Sequence, residues 1–399
     1  MNTQPTPPEY SSALAIFWLF LRLGCTAFGG PIAHLAYFHE AFVKQKRWVS
    51  EQTYSELVAL CQFLPGPASS QVGFALGHLR GGWVGAVAAW IGFTLPSVLI
   101  LTIASLSLSH FPSAIPQSLI TGLKVVAVAV IAQACLGMSR PLLHDPKRIT
   151  LLILCATFML LLPGPWTQLA IILLAGCLGA WFLPMPDRSA TPLPTTINKP
   201  LARGALLLFL LLLLSLPILA HFSGGDWHLS NAFYSSGALV FGGGHVVLPL
   251  LDSALVQPGW LSTHDFLTGY GLAQAMPGPL FSVAAFFGAH ANIGPGGVTG
   301  SLLAVCLLFL PGLLLVWAIL PFWAALRDRK RVSAGLLGIN AAVTGILLAA
   351  LYQPVWVNTI SGISELALAA VAFAALTVGK QPPWRVVLIC PLLSWLLLG

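Results

Sequence analysis

The stretch QFLPGP at residues 62–67 decides how this chain is organised, because it returns as QAMPGP at residues 274–279, 212 residues later. The same offset joins WVS at residues 48–50 to WLS at residues 260–262. Self-similarity at a fixed spacing is the signature of a repeated structural unit. The sequence therefore predicts that one folding unit occurs twice in the chain.

A second glycine motif supports this duplication and sets its extent. FGG at residues 28–30 is matched by FGG at residues 241–243, at nearly the same spacing. We therefore predict a first half over residues 1–183 and a second half over residues 229–399. Between them lies a linker followed by one additional helix, over residues 184–228.

The composition is that of an integral membrane protein. Of 399 residues, 57% are hydrophobic and only 7% are charged, with a mean hydropathy of +0.88; soluble domains carry about 25% charged residues. The net charge of +7 comes from Lys and Arg residues that lie between apolar stretches and form no patch for nucleic acid. The seven cysteines show no metal-ligand spacing, so we interpret them as buried apolar residues and expect no metal and no cofactor. An all-α, polytopic fold follows, since helices satisfy their own backbone hydrogen bonds in lipid.

The segments around the PGP motif are too short to cross a membrane. A helix over residues 67–80 would extend ~21 Å, whereas the hydrocarbon core is ~30 Å thick. Lys44, Lys46 and Arg47 precede this region and Arg80 follows it. Because basic flanks mark the cytoplasmic side, both ends are predicted to lie there, which makes residues 64–67 the tip of a re-entrant hairpin.

The distribution of charge predicts that the second half is inverted. Of the 18 Lys and Arg residues, only Arg22 and Lys124 lie inside predicted helices. The others fall in loops or hairpin flanks that alternate with segments free of Lys and Arg, so the basic ones are assigned to the cytoplasm. After the helix at residues 204–222, equivalent segments of the repeat lie on the opposite side of the membrane. We expect a cytoplasmic linker over residues 184–203 and a periplasmic C-terminus at Gly399. About thirteen crossings result if residues 30–43 and 243–255 each cross once.

Inverted repeats with broken helices are typical of secondary transporters, whose half-helix ends meet near the middle of the membrane and bind the substrate. A helix start carries free N–H groups and a partial positive charge, which bind oxyanions. The alternative interpretation is that the breaks are kinks that allow close helix packing. The predicted substrate-binding residues at the breaks are Gly29, Gly30, Gln62, Pro65, Gly66, Pro67, Gly242, Gly243, Gln274, Pro277, Gly278 and Pro279.

Four charged residues are further candidates. A buried cation in a bilayer costs at least ~2.5 kcal/mol, so Arg22 and Lys124 are predicted to contact an anionic substrate; the alternative is that they extend to the membrane surface. Glu40 and Asp252 match across the repeat and are predicted proton carriers. The alternative for these two acids is a solvated helix end.

Taken together, these motifs resemble the chromate ion transporter family, in its long-chain, two-domain form. The resemblance covers FGGP at residues 28–31, the run from Trp48 to Pro67, GG at residues 81–82, LP at residues 95–96, and their partners in the second half. It implies an inner-membrane protein that confers chromate resistance by exporting chromate, with sulfate as a second candidate substrate. The expected partners are the oxyanion and the lipid bilayer, and the chain could form a homodimer.

Three other functions stay open at this point. One is an uptake carrier for a sulfate-type oxyanion, the second is an anion channel, and the third is a membrane-embedded enzyme. The enzyme is disfavoured because no acid–histidine pair or nucleophile motif occurs at catalytic spacing. No phosphate-binding loop of the GxxxxGK type is present either, so we expect transport to be driven by the membrane potential, by proton exchange, or by both.

Overall fold

The structure, a computed structural model, describes residues 12–110, 116–143, 145–184, 193, 197–241, 244–327 and 329–398. Within these ranges every regular element is an α-, 3-10 or π-helix, which confirms the all-α prediction. Gly242, Gly243 and Gly399 lie outside the described residues.

The first half contains short helices followed by longer ones. They are α1 (Ala13–Thr26), α2 (Gly30–Phe38), α3 (Glu51–Phe63), α4 (Ala68–His110), α5 (Gln117–Ser139), α6 (Pro146–Leu161) and α7 (Pro165–Phe182), with a π-helix at His39–Gln45 after α2. The additional helix predicted between the halves is α8 (Lys199–Ser223).

The second half repeats this order. Its helices are α9 (Asp226–Leu239), α10 (Val247–Leu251), α11 (Thr263–Ala275), α12 (Val283–His290), α13 (Gly297–Ile319), α14 (Trp323–Arg327), α15 (Lys330–Ala350), α16 (Ile363–Thr377) and α17 (Pro383–Leu398). A π-helix at Asp252–Val256 follows α10, just as one follows α2.

The repeated motifs begin and end helices for local chemical reasons. The serine of each tryptophan motif is an N-cap: the Ser50 hydroxyl accepts the Thr53 N–H at 3.1 Å, and the Ser262 hydroxyl accepts the Asp265 N–H at 3.0 Å. α3 ends one residue before Leu64 and α4 begins one residue after Pro67, so the predicted tip at residues 64–67 is confirmed as a break between helices. Gly82, with φ of 59°, then bends α4.

The two halves pack internally in the same way, which fixes the alignment of α1 with α9. A Cβ atom added at Gly24 of α1 would lie 2.6 Å from the carbonyl oxygen of Phe93 in α4. A Cβ atom at Gly237 of α9 would collide with the carbonyl oxygen of Leu308 in α13. Gly24 and Gly237 are 213 residues apart, the spacing of the FGG motifs. Glycine is therefore required at both positions by close helix approach.

The helices that follow are exchanged between the halves. α6 and α7 of the first half pack against α15 of the second half. α16 and α17 of the second half pack against α5 of the first half. α8 packs on α9 and α13. The two halves thus share one helical body and are not separate units.

Five helical segments among the described residues are long and apolar enough to cross a membrane: Ala68–His110, Gln117–Leu142, Lys199–Ser223, Gly297–Leu326 and Lys330–Trp356. α1, with 14 residues, extends only ~21 Å. α2 and its π-helix return along α1, since the ring of Phe20 lies 5.6 Å from that of Phe38 and 5.0 Å from that of Phe42. The expected count of thirteen crossings is therefore not confirmed.

Candidate functional site

The broken helices of the two halves bond to each other crosswise at the centre of the molecule. The N–H of Gly66, in the first PGP motif, donates to the carbonyl of Val240 at 2.7 Å. The N–H of Gly278, in the second PGP motif, donates to the carbonyl of Ala27 at 2.9 Å. Ala27 and Val240 each directly precede an FGG motif. Each PGP tip thus meets the FGG break of the other half, and we call this arrangement the central junction.

Both tips require glycine. Gly66 has φ of 125° and Gly278 has φ of 93°, in the left-handed region that side chains disfavour. A Cβ atom at Gly66 would lie 3.0 Å from the Cα atom of Gly312, and one at Gly278 would lie 3.2 Å from the carbonyl oxygen of Phe93. The backbones of α13 and α4 therefore press on the tips directly.

Because the N–H groups of Gly66 and Gly278 bind protein carbonyls, they are occupied in this conformation. The donors that remain at the first tip belong to the start of α4, whose first-turn N–H groups have no acceptor within the helix. Ser69 and Ser70 lie in this turn and are buried, with 2% and 1% of their surface exposed. The Ser70 hydroxyl has no hydrogen-bond partner among the described residues. The start of α4 can therefore offer several donors to an oxyanion.

The first FGG break lies close to Gly244, the residue after the second FGG motif. Gly29 and Gly30 have φ of 104° and 77°, and Pro31 occupies the first turn of α2. A Cβ atom at Gly244, which follows the second motif, would lie 3.7 Å from Cγ of Pro31. Among the described residues, no atom lies within 4 Å of a Cβ atom added at Gly30, so this tip borders open space in the described part of the structure.

Several polar side chains hold the junction together, and the sequence analysis did not select them. The Gln71 amide donates to the carbonyl of Pro65 at 2.9 Å and to that of Gly312 at 3.0 Å. The Ser97 hydroxyl donates to that of Ser282 at 2.7 Å. The bonds to Gly312 and to Ser282 join α4 to the second half.

Two histidines lie close to the breaks and were likewise missed. His34 is fully buried, with Nδ1 3.3 Å from the Ser69 hydroxyl and Nε2 3.2 Å from the Ala27 carbonyl. His245 lies 2.8 Å from the hydroxyl of Tyr270. Neither histidine recurs at its repeat-matched position, so the comparison of halves could not identify them.

The two glutamines of the PGP motifs lie in different surroundings. Gln62 is exposed, whereas Gln274 is partly buried and bonds to Tyr270. Pro65 and Pro277 are partly buried, and Pro67 and Pro279 are buried directly before the helix starts. The structure thus places the prolines and glycines of both PGP motifs at the central junction and leaves Gln62 exposed.

Of the two cations predicted at the site, neither touches the junction. Arg22 is exposed, on the face of α1 opposite the buried Ile16, Phe20 and Gly24. Lys124 is partly buried in α5, close enough to Asp265 of α11 for electrostatic attraction. Arg22 lies five residues before Ala27, so it flanks the junction along α1.

The repeat-matched acids differ in environment. Glu40 is exposed and pairs with Lys44 at 3.3 Å. Asp252 is 7% exposed, and one of its carboxylate oxygens has no hydrogen-bond partner among the described residues. No group of three His, Cys, Asp or Glu residues in the described ranges is arranged to hold a metal ion.

Short broken helices that meet between two homologous halves, within a body of long apolar helices, define a multi-pass membrane transporter. The chain belongs to the chromate transporter family, which matches residues 14–180 and 227–395. It is a transporter of the family that carries chromate across membranes.

Similar proteins cover nearly the whole chain. An uncharacterized transporter of Methanocaldococcus jannaschii is 29% identical over 85% of this chain and 83% of its own length. The chromate transport protein of Cupriavidus metallidurans is 26% identical (86% and 83%), and that of Pseudomonas aeruginosa is 27% identical (87% and 82%). No solved structure matches the chain.

Proposed function

We propose that this protein is a secondary transporter that exports chromate, or an oxyanion of the same shape, across the bacterial inner membrane. The observation that carries the proposal is the crosswise bonding of Gly66 to Val240 and of Gly278 to Ala27. A site whose two sides are built from tips of opposite halves can open to one side when one pair of tips separates. Such alternate opening is the way carriers with inverted repeats work.

The inverted arrangement rests on charge. Apart from Arg22 and Lys124, all 18 Lys and Arg residues fall in loops or hairpin flanks that are predicted to be cytoplasmic. With α1–α2, α3 and the part of α4 before Gly82, α9–α10, and α11–α12 as re-entrant hairpins, nine segments cross the membrane. They are the rest of α4 with α5, α6 and α7, then α8, then α13, α15, α16 and α17. This gives nine crossings in place of thirteen, and the C-terminus stays on the periplasmic side.

The anion would be bound mainly by dipoles. The starts of α4 and of the helical turn at Leu280–Ser282 lie beside the tips, and helix starts favour anions. The Ser70 hydroxyl and the open space beside Gly30 add a donor and room. Arg22 flanks this region along α1, and Lys124 lies farther away, beside Asp265; both would attract a dianion by long-range electrostatics.

The membrane potential suffices as an energy source for export. At ~2.3 kcal/mol per charge per 100 mV, moving about two negative charges out of a negative interior gains roughly 4.6 kcal/mol per 100 mV. That free energy supports a gradient of roughly 1000-fold or more. Asp252, buried and incompletely bonded, is the candidate for additional exchange of protons.

Chromate export from intact cells tests this function. We expect an uncoupler that collapses the potential to stop most export, and Arg22→Gln to weaken it at a normal amount of protein in the membrane. Export that continues with the uncoupler and stops on ATP depletion would contradict the proposal. Flux that does not saturate with chromate would support the alternative of an anion channel, and net inward flux would support a sulfate-type uptake carrier.

A further inference from the structure

A second polar site lies beside the central junction, in a pocket of about 200 Å³ between α7, α9 and the π-helix that follows α10. Most of its lining is apolar, and its polar side chains are Gln168, Asn231, Ser235, Ser236 and Ser253. The volume is far above the roughly 10–15 Å³ needed by one water. None of the described residues that line it carries a charge. We call it the serine pocket.

The side chain of Gln168 indicates a polar occupant for the serine pocket. It is only 1% exposed, and neither its amide nitrogen nor its amide oxygen has a hydrogen-bond partner among the described residues. Leaving a buried polar group unsatisfied is unfavourable, and such groups are normally bonded to protein or ordered water. A polar molecule inside the pocket would provide the missing partner.

The hydrogen bonds within the pocket leave donors available. Ser235 donates its hydroxyl to the amide oxygen of Asn231 at 2.9 Å, so the amide nitrogen of Asn231 remains free to donate to a ligand. Gln257 donates to the Ser253 oxygen at 3.3 Å, so the Ser253 hydroxyl can donate elsewhere. Amide and hydroxyl donors, with no carboxylate among the described lining residues, suit an oxyanion.

The repeat matches one lining residue of the pocket to a charged residue of the first half. Ser235 stands 213 residues after Arg22, and the matched packing of Gly24 and Gly237 supports this alignment. The first half therefore has a cation where the second half has a serine. A dianion is held less strongly by neutral donors than by neutral donors with an added positive charge.

We infer that the serine pocket is a release site for the transported oxyanion, on the side of the membrane opposite Arg22. The inference rests on the proposed function. Leu239 lines the pocket and directly precedes Val240, whose carbonyl binds the tip at Gly66. The pocket therefore lies close to the central junction along α9, and the lack of a cation among its described lining residues favours the departure of an anion.

Chromate flux measured separately from each side of the membrane tests this role. Chromate uptake is followed in vesicles of both orientations, for the unaltered protein and for Asn231→Leu and Gln168→Leu. We expect the half-saturating concentration to rise roughly tenfold for chromate presented on the side of residues 256–264, because a hydrogen bond to a charged group is worth at least the ~1.4 kcal/mol that tenfold represents. The value for the opposite side should stay unchanged. Ser230→Ala is the matched control, since this hydroxyl bonds to the Asp226 carbonyl within α9 and does not line the pocket.

Ser235→Arg tests the same inference by gain of affinity. It places in the second half the charge that Arg22 has in the first half, so we expect chromate to bind at least about tenfold more tightly from the pocket side, and the maximal export rate to fall. Unchanged affinity in all three variants, with normal flux in the unaltered protein, would overturn the release site and leave the proposed function intact. If the unaltered protein transports no chromate, equilibrium binding of chromate to the purified protein tests the pocket independently of transport. Binding that is weakened by Asn231→Leu and not by Ser230→Ala would support the pocket and contradict the transport function.

Discussion

At the scale of single residues, the central junction depends on two glycines that satisfy two requirements at once. Gly66 and Gly278 adopt positive φ, and each has the backbone of a helix from the other half close to the place of a Cβ atom. Their N–H groups are bonded across the halves. Because glycine is small and tolerates positive φ, each tip can stay in contact with the other half through its backbone.

We predict that Gly66→Leu abolishes chromate transport and leaves the protein inserted. A leucine at positive φ costs roughly 1–2 kcal/mol, and overpacking against Gly312 adds typically 1–3 kcal/mol. The measurements are chromate tolerance of cells and the amount of protein in the membrane. Gly137→Leu is the control, because a Cβ atom there meets no described atom within 4 Å. Full tolerance with Gly66→Leu would place the site away from the tips.

A second residue-scale prediction separates the two matched acids. Because Asp252 is buried and incompletely bonded, whereas Glu40 is exposed and paired with Lys44, only the first is expected to carry protons. Asp252→Asn should remove the response of chromate flux to an imposed pH gradient, and Glu40→Gln should retain it. The same response in the unaltered protein and in Asp252→Asn would exclude Asp252 from proton coupling.

At the scale of helices, the exchange between halves makes the fold depend on close packing of α15 with α6 and α7. A Cβ atom at Gly338 would collide with the carbonyl oxygen of Ala175 in α7. A Cβ atom at Gly345 would likewise collide with the carbonyl oxygen of Leu152 in α6. Such glycines allow helices in membranes to approach until their backbones touch.

Gly338→Leu is therefore expected to separate α15 from α7 and to lower the stability of the whole protein, by roughly 1–3 kcal/mol or more. Thermal unfolding of the purified protein in detergent measures this effect. Gly204→Leu in α8 should leave the unfolding temperature nearly unchanged, because within the part of the chain that the structure describes a Cβ atom there meets nothing within 4 Å. Equal unfolding temperatures for the two variants would contradict the exchanged packing.

The breaks in the helices could be predicted because they depend on local chemistry. Ser50 caps α3, Pro67 precedes α4 and Gly82 bends it, and each effect acts within a few residues of its cause. The partner of each tip could not be predicted, because the bond from Gln71 to Gly312 spans 241 residues and Gln71 matches a valine in the second half. The exposed position of Arg22 depends on which face of α1 its neighbours cover, and the sequence does not contain that information locally.

At the scale of the whole molecule, the account requires two halves of opposite orientation. We expect the region of Arg329, Lys330 and Arg331 to be cytoplasmic and the C-terminus to be periplasmic. A C-terminal reporter that is active only in the cytoplasm should give no signal, whereas the same reporter fused after Lys330 should give a strong one. A strong signal from the C-terminal fusion would contradict the inversion and, with it, the pairing of the serine pocket with the side opposite Arg22.

The central claim is that a doubly charged oxyanion passes through the central junction and that the membrane potential drives this movement. The most direct measurement is the uptake of radiolabelled chromate into inside-out vesicles under an imposed lumen-positive potential, without nucleotide. We predict saturable accumulation that reverses with the sign of the potential and is absent from vesicles with Gly66→Leu. Accumulation equal to that of protein-free vesicles, or accumulation that requires added ATP, would contradict the claim.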